Sequence, residues 1–178
     1  MERGRFNYIL EKCKDKRVLH IGCVDEGLTL ERLENGNLLH IKLSKITNEL
    51  HGLDISREGL KILWKAGYGN LQEIDIEQPF VIGDRFDIVV ISEVLEHLNN
   101  PGLALDNLKK LNTQEFIFSV PSAFLRFNEH KDHNFYFTTQ SIRTLLEKHG
   151  YEIKEIKGYA FSRLTLWPDG YLIWTTQK

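Results

Sequence analysis

Three groups of residues have types and spacings that could do chemistry. The first is the turn Gly22-Cys-Val-Asp-Glu-Gly27, directly after the apolar run Arg17-Val-Leu-His-Ile21. Glycine at the end of a buried strand lets a ligand approach the backbone, because no Cβ stands in the way. The second is Asp54, at the end of His51-Gly-Leu-Asp-Ile55. A carboxylate accepts two hydrogen bonds side by side, and the two hydroxyls of a ribose supply two donors at matching separation. Asp54 could equally cap the helix that starts after Ser56. The third group is ionisable. Glu93, Glu96 and His97 follow one apolar run, and Glu129, His130, Asp132 and His133 lie further on. Histidine titrates near neutrality, so His97 and His133 are the candidate proton acceptors. A hydrolase nucleophile is not in view, since Ser119 and Ser122 lack a glycine elbow.

Such residues need elements to hold them. Residues 5–13 suit a short amphipathic helix with Phe6, Ile9 and Leu10 on one side, inside an N-terminal helical segment of residues 1–16. Arg17-Val-Leu-His-Ile-Gly22 reads as a buried strand. Leu39, Leu43, Ile46 and Leu50 recur at helical spacing, while Leu39, Ile41 and Leu43 also alternate like a strand. The flanking glycines and the strand that follows favour a crossover helix there. Ser56 caps a helix carrying Leu60, Leu63 and Trp64. A weaker strand spans Leu71 to Ile74, and Phe86–Ile91 is the clearest strand of the chain. Asn100-Pro101 starts a helix, because proline suits its first position. Glu115–Val120 is a further strand, and Thr138 caps a helix closed by Gly150. Tyr151–Ile156 and Tyr171–Thr176 alternate as two strands around a Pro168-Asp-Gly170 turn.

Strands alternating with helices imply an α/β fold with a mainly parallel sheet, right-handed crossovers and helices on both faces. The last two strands imply an antiparallel end. In such sheets ligands bind at the carboxyl ends of the strands, where the glycine turn and Asp54 both stand.

Bulk properties narrow the classes. A length of 178 residues suits one domain. A hydrophobic share of 42% excludes a disordered chain. The formal charge of −2 lacks the basic footprint of a nucleic-acid binder, so no nucleic-acid partner is expected. No apolar run is long enough to span a bilayer, and the charged start does not suit a secretory signal. Cys13 and Cys23 lack metal-ligand spacing, which points to a reducing, cytoplasmic location.

Val18-Leu-His-Ile-Gly-Cys-Val-Asp-Glu-Gly27 resembles the first motif of class I S-adenosylmethionine-dependent methyltransferases, and Gly52-Leu-Asp-Ile-Ser56 resembles their second. Phe86-Asp-Ile-Val-Val-Ile-Ser-Glu-Val-Leu-Glu-His-Leu98, with Asn100-Pro101, is similar to the fourth-strand segment of the small-molecule group that includes ubiquinone-biosynthesis enzymes. His133-Asn-Phe-Tyr-Phe-Thr138 and Leu145–Tyr151 resemble that group's late segment. The likeness runs from about Arg17 to Ile156, and Glu-Val-Leu-Glu-His-Leu is its most specific piece.

The resemblance implies a Rossmann-like fold with a seven-stranded sheet and one methyltransferase domain over residues 1–178. It implies S-adenosylmethionine as cofactor. Gly22 and Cys23 would meet its methionine portion, Asp54 its ribose, and Ile55 its adenine. Asp75 would reach the adenine amino group, with Ile76 against the ring. Ser92 and Glu93 would line the methionine side, and His97 would lie near the transferred methyl. His133, matching the group's late histidine, would face the pocket of Glu93 and His97. Phe124, Phe127, Phe135, Tyr136 and Phe137 either line an acceptor pocket or pack the core. No metal is expected, because the resemblance makes Glu129–His133 an acceptor-side loop. The chain departs from the family at His20, where an acid is usual, and at Val24 and Glu26, where glycines are. Valine at 24 would narrow the space over the cofactor, and Asp25 or Glu26 would stand in for the missing acid.

These features predict methyl transfer to a small-molecule, glycan or lipid-precursor acceptor. Two other readings share the sheet. One is a catalytically silent methyltransferase-like binding subunit. The other is a nicotinamide-dependent oxidoreductase, which the missing Gly-x-Gly-x-x-Gly spacing disfavours.

Overall fold

The computed structural model describes residues 3–124, 131–159 and 169–177. Glu129 and His130 of the expected acceptor-side loop, Phe127, and Pro168 of the expected turn therefore lie outside the described residues.

The strands are β1 (Arg17–Ile21), β2 (Glu49–Asp54), β3 (Leu71–Glu73), β4 (Ile88–Ser92), β5 (Glu115–Pro121), β6 (Tyr151–Tyr159) and β7 (Gly170–Gln177). They form one seven-stranded sheet in the order β3-β2-β1-β4-β5-β7-β6. Neighbours from β3 through β5 pair in parallel, whereas β7 runs antiparallel to both β5 and β6. The fold is the expected Rossmann-like methyltransferase architecture with an antiparallel end. The strand order reverses at β1, which places the ends of β2, β1 and β4 side by side.

The helices are α1 (Arg3–Cys13), α2 (Thr29–Glu34), α3 (Leu39–Ser44), α4 (Arg57–Lys65), α5 (Pro101–Leu108) and α6 (Thr139–Lys148). The starts of α4, α5 and α6 are set by side chains that satisfy otherwise unpaired amides, whereas α2 and α3 begin without a side-chain cap. Ser56 accepts from the Gly59 amide at 3.3 Å, and Asn100 accepts from Leu103 at 3.0 Å with Pro101 behind it. Thr138 and Ser141 form a reciprocal capping box.

Both faces of the central strands are buried, which is why β1 and β4 read as continuous apolar runs. Leu19, Val89, Ile91, Phe116 and Phe118 pack on α5 and α6 through Leu105, Leu108, Ile142 and Leu146. Val18, Ile88, Val90 and Ile117 pack on the other side against Phe6, Ile9 and Cys13 of α1 and Leu39 and Leu43 of α3.

The segment from Leu39 to Leu50 is not one helix. The helix α3 ends at Ser44, α2 precedes it, and Leu50 lies in β2 beside Val18 of β1. Leu39, His40, Ile41 and Leu43 are all buried, so α3 has no polar stripe and its helical period is blurred. The strand β6 also runs past the expected Ile156 to Tyr159, because its pairing with β7 continues to Gly170.

Candidate active site

The first strand ends where expected. Gly22 has φ +74° and closes β1, and the Gly22 and Cys23 amides both donate to the Leu53 carbonyl of β2, at 2.9 and 3.2 Å. This ties the turn to its neighbour strand. A Cβ at Gly22 would collide with Val94 Cγ2 from the segment after β4. Gly22→Ala therefore brings a left-handed backbone cost of about 1–2 kcal/mol plus the clash. We expect it to lower both thermal stability and donor affinity. The double variant Gly22→Ala/Val94→Ala should recover only part of the stability, since it removes the clash and keeps the backbone cost. Full recovery on thermal unfolding would show that backbone conformation contributes nothing.

Asp54 stands at the end of β2 with both oxygens engaged. Oδ2 accepts from the Val24 amide at 3.1 Å and Oδ1 from the Ser56 amide at 2.9 Å. Burial raises the Asp54 carboxyl above its usual range, and amides of Ser56, Val24 and Ile55 pull it the other way. A carboxylate has about four acceptor directions, so the three amides do not exhaust its capacity. Asp54 thus links the glycine turn to the start of α4 and still carries acceptors at the strand ends.

Val24 does not narrow the space over the turn. It is buried with Leu60 and Leu63, and a Cβ at Gly59 would meet its Cγ2 at 2.6 Å. Gly59 on α4 makes the room that a glycine in the turn would otherwise provide. Asp25 does not replace the missing acid either. Its carboxylate pairs with Arg32 of α2 at 2.9 Å, and its backbone bonds the Thr29 hydroxyl.

His20 is buried and stacks on His40 of α3, with ring centroids 5.4 Å apart and Nδ1 atoms 3.2 Å apart. Burial first, then His40 and Arg5, pushes the His20 imidazole well below its usual range. Burial alone holds His40 down to about 4. An unfolded histidine titrates near about 6.5, so acid protonates the unfolded chain first. The stability held by neutral His40 is complete above about pH 6.5 and is lost as pH falls towards about 4, by roughly 3 kcal/mol. His20 acts in the same direction. Urea unfolding at intervals between these limits should show the decline, and His40→Gln should flatten it. An equally steep decline in the variant would place the sensitivity elsewhere.

The segment after β4 carries a network that the sequence does not display. Glu93 has φ +55°, a conformation that non-glycine residues rarely adopt and that clusters at functional sites. Its Oε1 accepts from the Ser119 hydroxyl at 2.8 Å and the Tyr159 hydroxyl at 3.0 Å, and pairs with the Arg5 guanidinium at 3.1 Å. Ser92 and Ser119 hydroxyls are 2.9 Å apart. Arg5 is only 6% exposed and lies over the rings of Phe6 and Tyr159. Arg5 and Tyr159 reach Glu93 across the sheet from separations of 88 and 66 residues, and neither belongs to a recognisable motif.

On the other side of the same turn, His97 and His133 meet edge to face with ring centroids 4.8 Å apart. Asn134 and Phe135 amides donate to the Glu96 carbonyl at 2.7 and 3.1 Å, and the Asn134 side chain donates to the His97 carbonyl at 2.9 Å. These bonds clamp the segment after β5 onto the segment after β4. Glu96 lies beneath the pair, 1% exposed, with Oε1 3.9 Å from His97 Nε2. Burial, then the Glu93 charge, pushes its carboxyl well above the usual range. His133 thus joins His97 as expected, but the acid beside the pair is Glu96, while Glu93 turns to Arg5.

Ile55 and Asp75 follow the ends of β2 and β3. Ile55 is 68% exposed beside Asp54, a large apolar side chain open to a flat ligand. Asp75 Oδ1 accepts from the Glu77 amide at 2.9 Å and so shapes the turn after β3. Ile76 is buried in the core and Cys23 is a buried free thiol. Phe137 is buried and Phe135 packs against the same core, whereas Phe124 and Tyr136 are exposed.

Residues 4–156 match the family model of a methyltransferase domain. An S-adenosylmethionine dependent methyltransferase from Mesorhizobium loti superposes with a TM-score of 0.72 at 13% identity, over 99% of this chain and 97% of that one. The N-methyltransferase NodS from Bradyrhizobium japonicum, in complex with S-adenosyl-L-homocysteine, gives 0.68 at 20% identity, over 99% and 87%. The small RNA methyltransferase HEN1 gives 0.73 at 18% identity, and this chain spans 25% of its length. No protein of curated function matches the sequence. The fold and the family match define a class I S-adenosylmethionine-dependent methyltransferase. The chain belongs to the methyltransferase-domain family. No helix among the described residues is long and apolar enough to cross a membrane.

Proposed function

We propose that residues 1–178 act as one domain that moves the methyl group of S-adenosylmethionine to a hydroxyl of a small-molecule, glycan or lipid-precursor acceptor. The observation that carries this reading is the separation of two kinds of group along the sheet edge. Asp54 and Ile55 follow β2, the glycine turn follows β1, and the His97–His133 pair follows β4 and β5. Donor recognition and acceptor chemistry therefore occupy neighbouring strand ends.

Asp54 accepts from the ribose hydroxyls, and Ile55 offers the adenine an exposed apolar face. Asp75 faces the adenine amino group. Carbonyls of the Gly22–Cys23 backbone suit the ammonium of the methionine portion, since their amides are bonded to Leu53. Ser92 and Glu93 border the same end. The acceptor oxygen attacks the methyl carbon in line with the sulfur, the sulfur leaves as a neutral thioether, and the acceptor proton passes to the His97–His133 pair. Positioning alone is worth about 7–11 kcal/mol in favourable intramolecular cases. Proton removal adds about 10²–10⁴ in rate.

The formal charge of −2 argues against a nucleic-acid acceptor, in contrast with what the name of one structural neighbour says of that protein. Buried free thiols at Cys13 and Cys23 favour a reducing, cytoplasmic setting. Calorimetry should detect S-adenosylmethionine and S-adenosylhomocysteine but not NAD. Labelled donor should then mark hydroxyl-bearing small molecules. Labelling of RNA at ordinary salt, with none of the small molecules marked, would overturn the acceptor class.

A further inference from the structure

We propose that Glu96, His97 and His133 form a site for one divalent transition-metal cation, set against the acceptor. The site deepens the acceptor-side reading given above and rests on the same pair of histidines. Each residue contributes one ligand atom, and the three atoms lie within 4.8 Å of one another. Ligands at about 2.0–2.2 Å from one metal stand roughly 3–4 Å apart, so the cluster needs to close by about an ångström.

Two independent observations point to a cation. The first is Glu96. Its carboxylate is 1% exposed, and neither oxygen receives a hydrogen bond. Proteins keep buried carboxylates paired, protonated or coordinated to metal. The Arg5 guanidinium pairs with Glu93 at 3.1 Å, and its charge also pulls the Glu96 carboxyl down, against the larger effects of burial and Glu93. The second is the orientation of His97. Its Nδ1 lies 2.9 Å from the Asp132 carbonyl, so Nδ1 carries the proton and Nε2 presents its lone pair. Metal-bound histidines have this outer partner, which fixes the ring and its tautomer. Nε2 is the atom that faces Glu96, at 3.9 Å.

The arrangement is also held in place before any cation arrives. Asn134, next to His133, is bonded through its amide and side chain to the Glu96 and His97 carbonyls. Two imidazoles and one carboxylate suit borderline cations such as Zn²⁺, Mn²⁺, Fe²⁺ or Co²⁺. Mg²⁺ prefers an all-oxygen shell. The His97 side chain is 43% exposed, which leaves the outer side of the cluster open to an acceptor oxygen. A cation there lowers the pKa of a bound hydroxyl, so that it ionises near neutrality. With the cation bound, His97 and His133 serve as ligands in place of the proton acceptors they are without it, and the proton leaves to solvent.

The test uses the full chain, stripped with a chelator and titrated with Co²⁺ or Mn²⁺ by calorimetry, with Mg²⁺ as a control. Cobalt also reports its ligands through visible absorption. A single equivalent should bind, more tightly than Mg²⁺, with an absorption typical of nitrogen and oxygen ligands. Glu96→Gln and His133→Ala should each weaken binding by at least about 10-fold. His97→Gln, at an exposed position, provides the same reading if the buried Glu96 variant fails to fold. No saturable binding, or binding that these substitutions leave unchanged, overturns the site. The stripped sample is also titrated with S-adenosylmethionine. Donor binding without cobalt binding defeats the metal site alone. Cobalt binding without donor binding defeats the methyl-transfer reading and keeps the site.

Discussion

Replacing His133 with alanine should lower kcat by about 10²–10⁴-fold while the Kd for S-adenosylmethionine stays near its original value. The ring of His133 meets those of His97 and Tyr136, on the segments that follow β4 and β5. Its loss therefore removes a group that acts on the acceptor and spares those that hold the donor. Stopped assays over a range of acceptor concentrations, with parallel donor calorimetry, separate the two effects. The pH profile adds a further discrimination. If the imidazole takes the proton, its removal abolishes the neutral limb of the rate. If it holds a cation, removal also abolishes sensitivity to chelators. A variant that loses donor affinity in step with turnover would make His133 part of the cofactor site.

Asp54→Ala should weaken donor binding by about 2–4 kcal/mol, or roughly 30–1000-fold, because a charged two-acceptor contact is lost. The same substitution should lower stability. The Val24 and Ser56 amides, at 3.1 and 2.9 Å, lose their acceptors, and with them the glycine turn loses its tie to the start of α4. Asp54→Asn separates these roles. It keeps one carbonyl acceptor for the backbone but cannot accept twice from a diol. We expect the asparagine variant to recover much of the stability and little of the affinity, as read by urea unfolding and calorimetry. Equal recovery of both would assign Asp54 a purely architectural role.

The order of elements was legible because each carried a local signal. Ser56, Asn100 and Thr138 cap helices as their types predict, and the apolar runs of β1 and β4 follow from burial on both faces. The crossover helix expected from Leu39 exists as α3 but ends at Ser44, short of Ile46 and Leu50. An element buried all round has no polar face, and its period carries no information.

The site divides along similar lines. Gly22 and Asp54 could be read from sequence because each stands at the carboxyl end of a strand, where the parallel sheet puts its ligands. His97 and His133 were visible as ionisable residues near such ends. Their meeting was not, because it depends on how the segment after β5 folds back on the one after β4. The same holds for Arg5, which reaches Glu93 only because α1 packs under β4 and β5. Val24 and Gly59 compensate each other's size from opposite elements. Sequence alone determined the strand–helix alternation, the sheet class and the standing of Gly22 and Asp54 at strand ends, since propensity, capping and hydrophobic period act over a few residues. Tertiary structure alone decided which acid faces which cation or imidazole, because a side chain's charge partner is set by distance through space and leaves no trace in chain spacing.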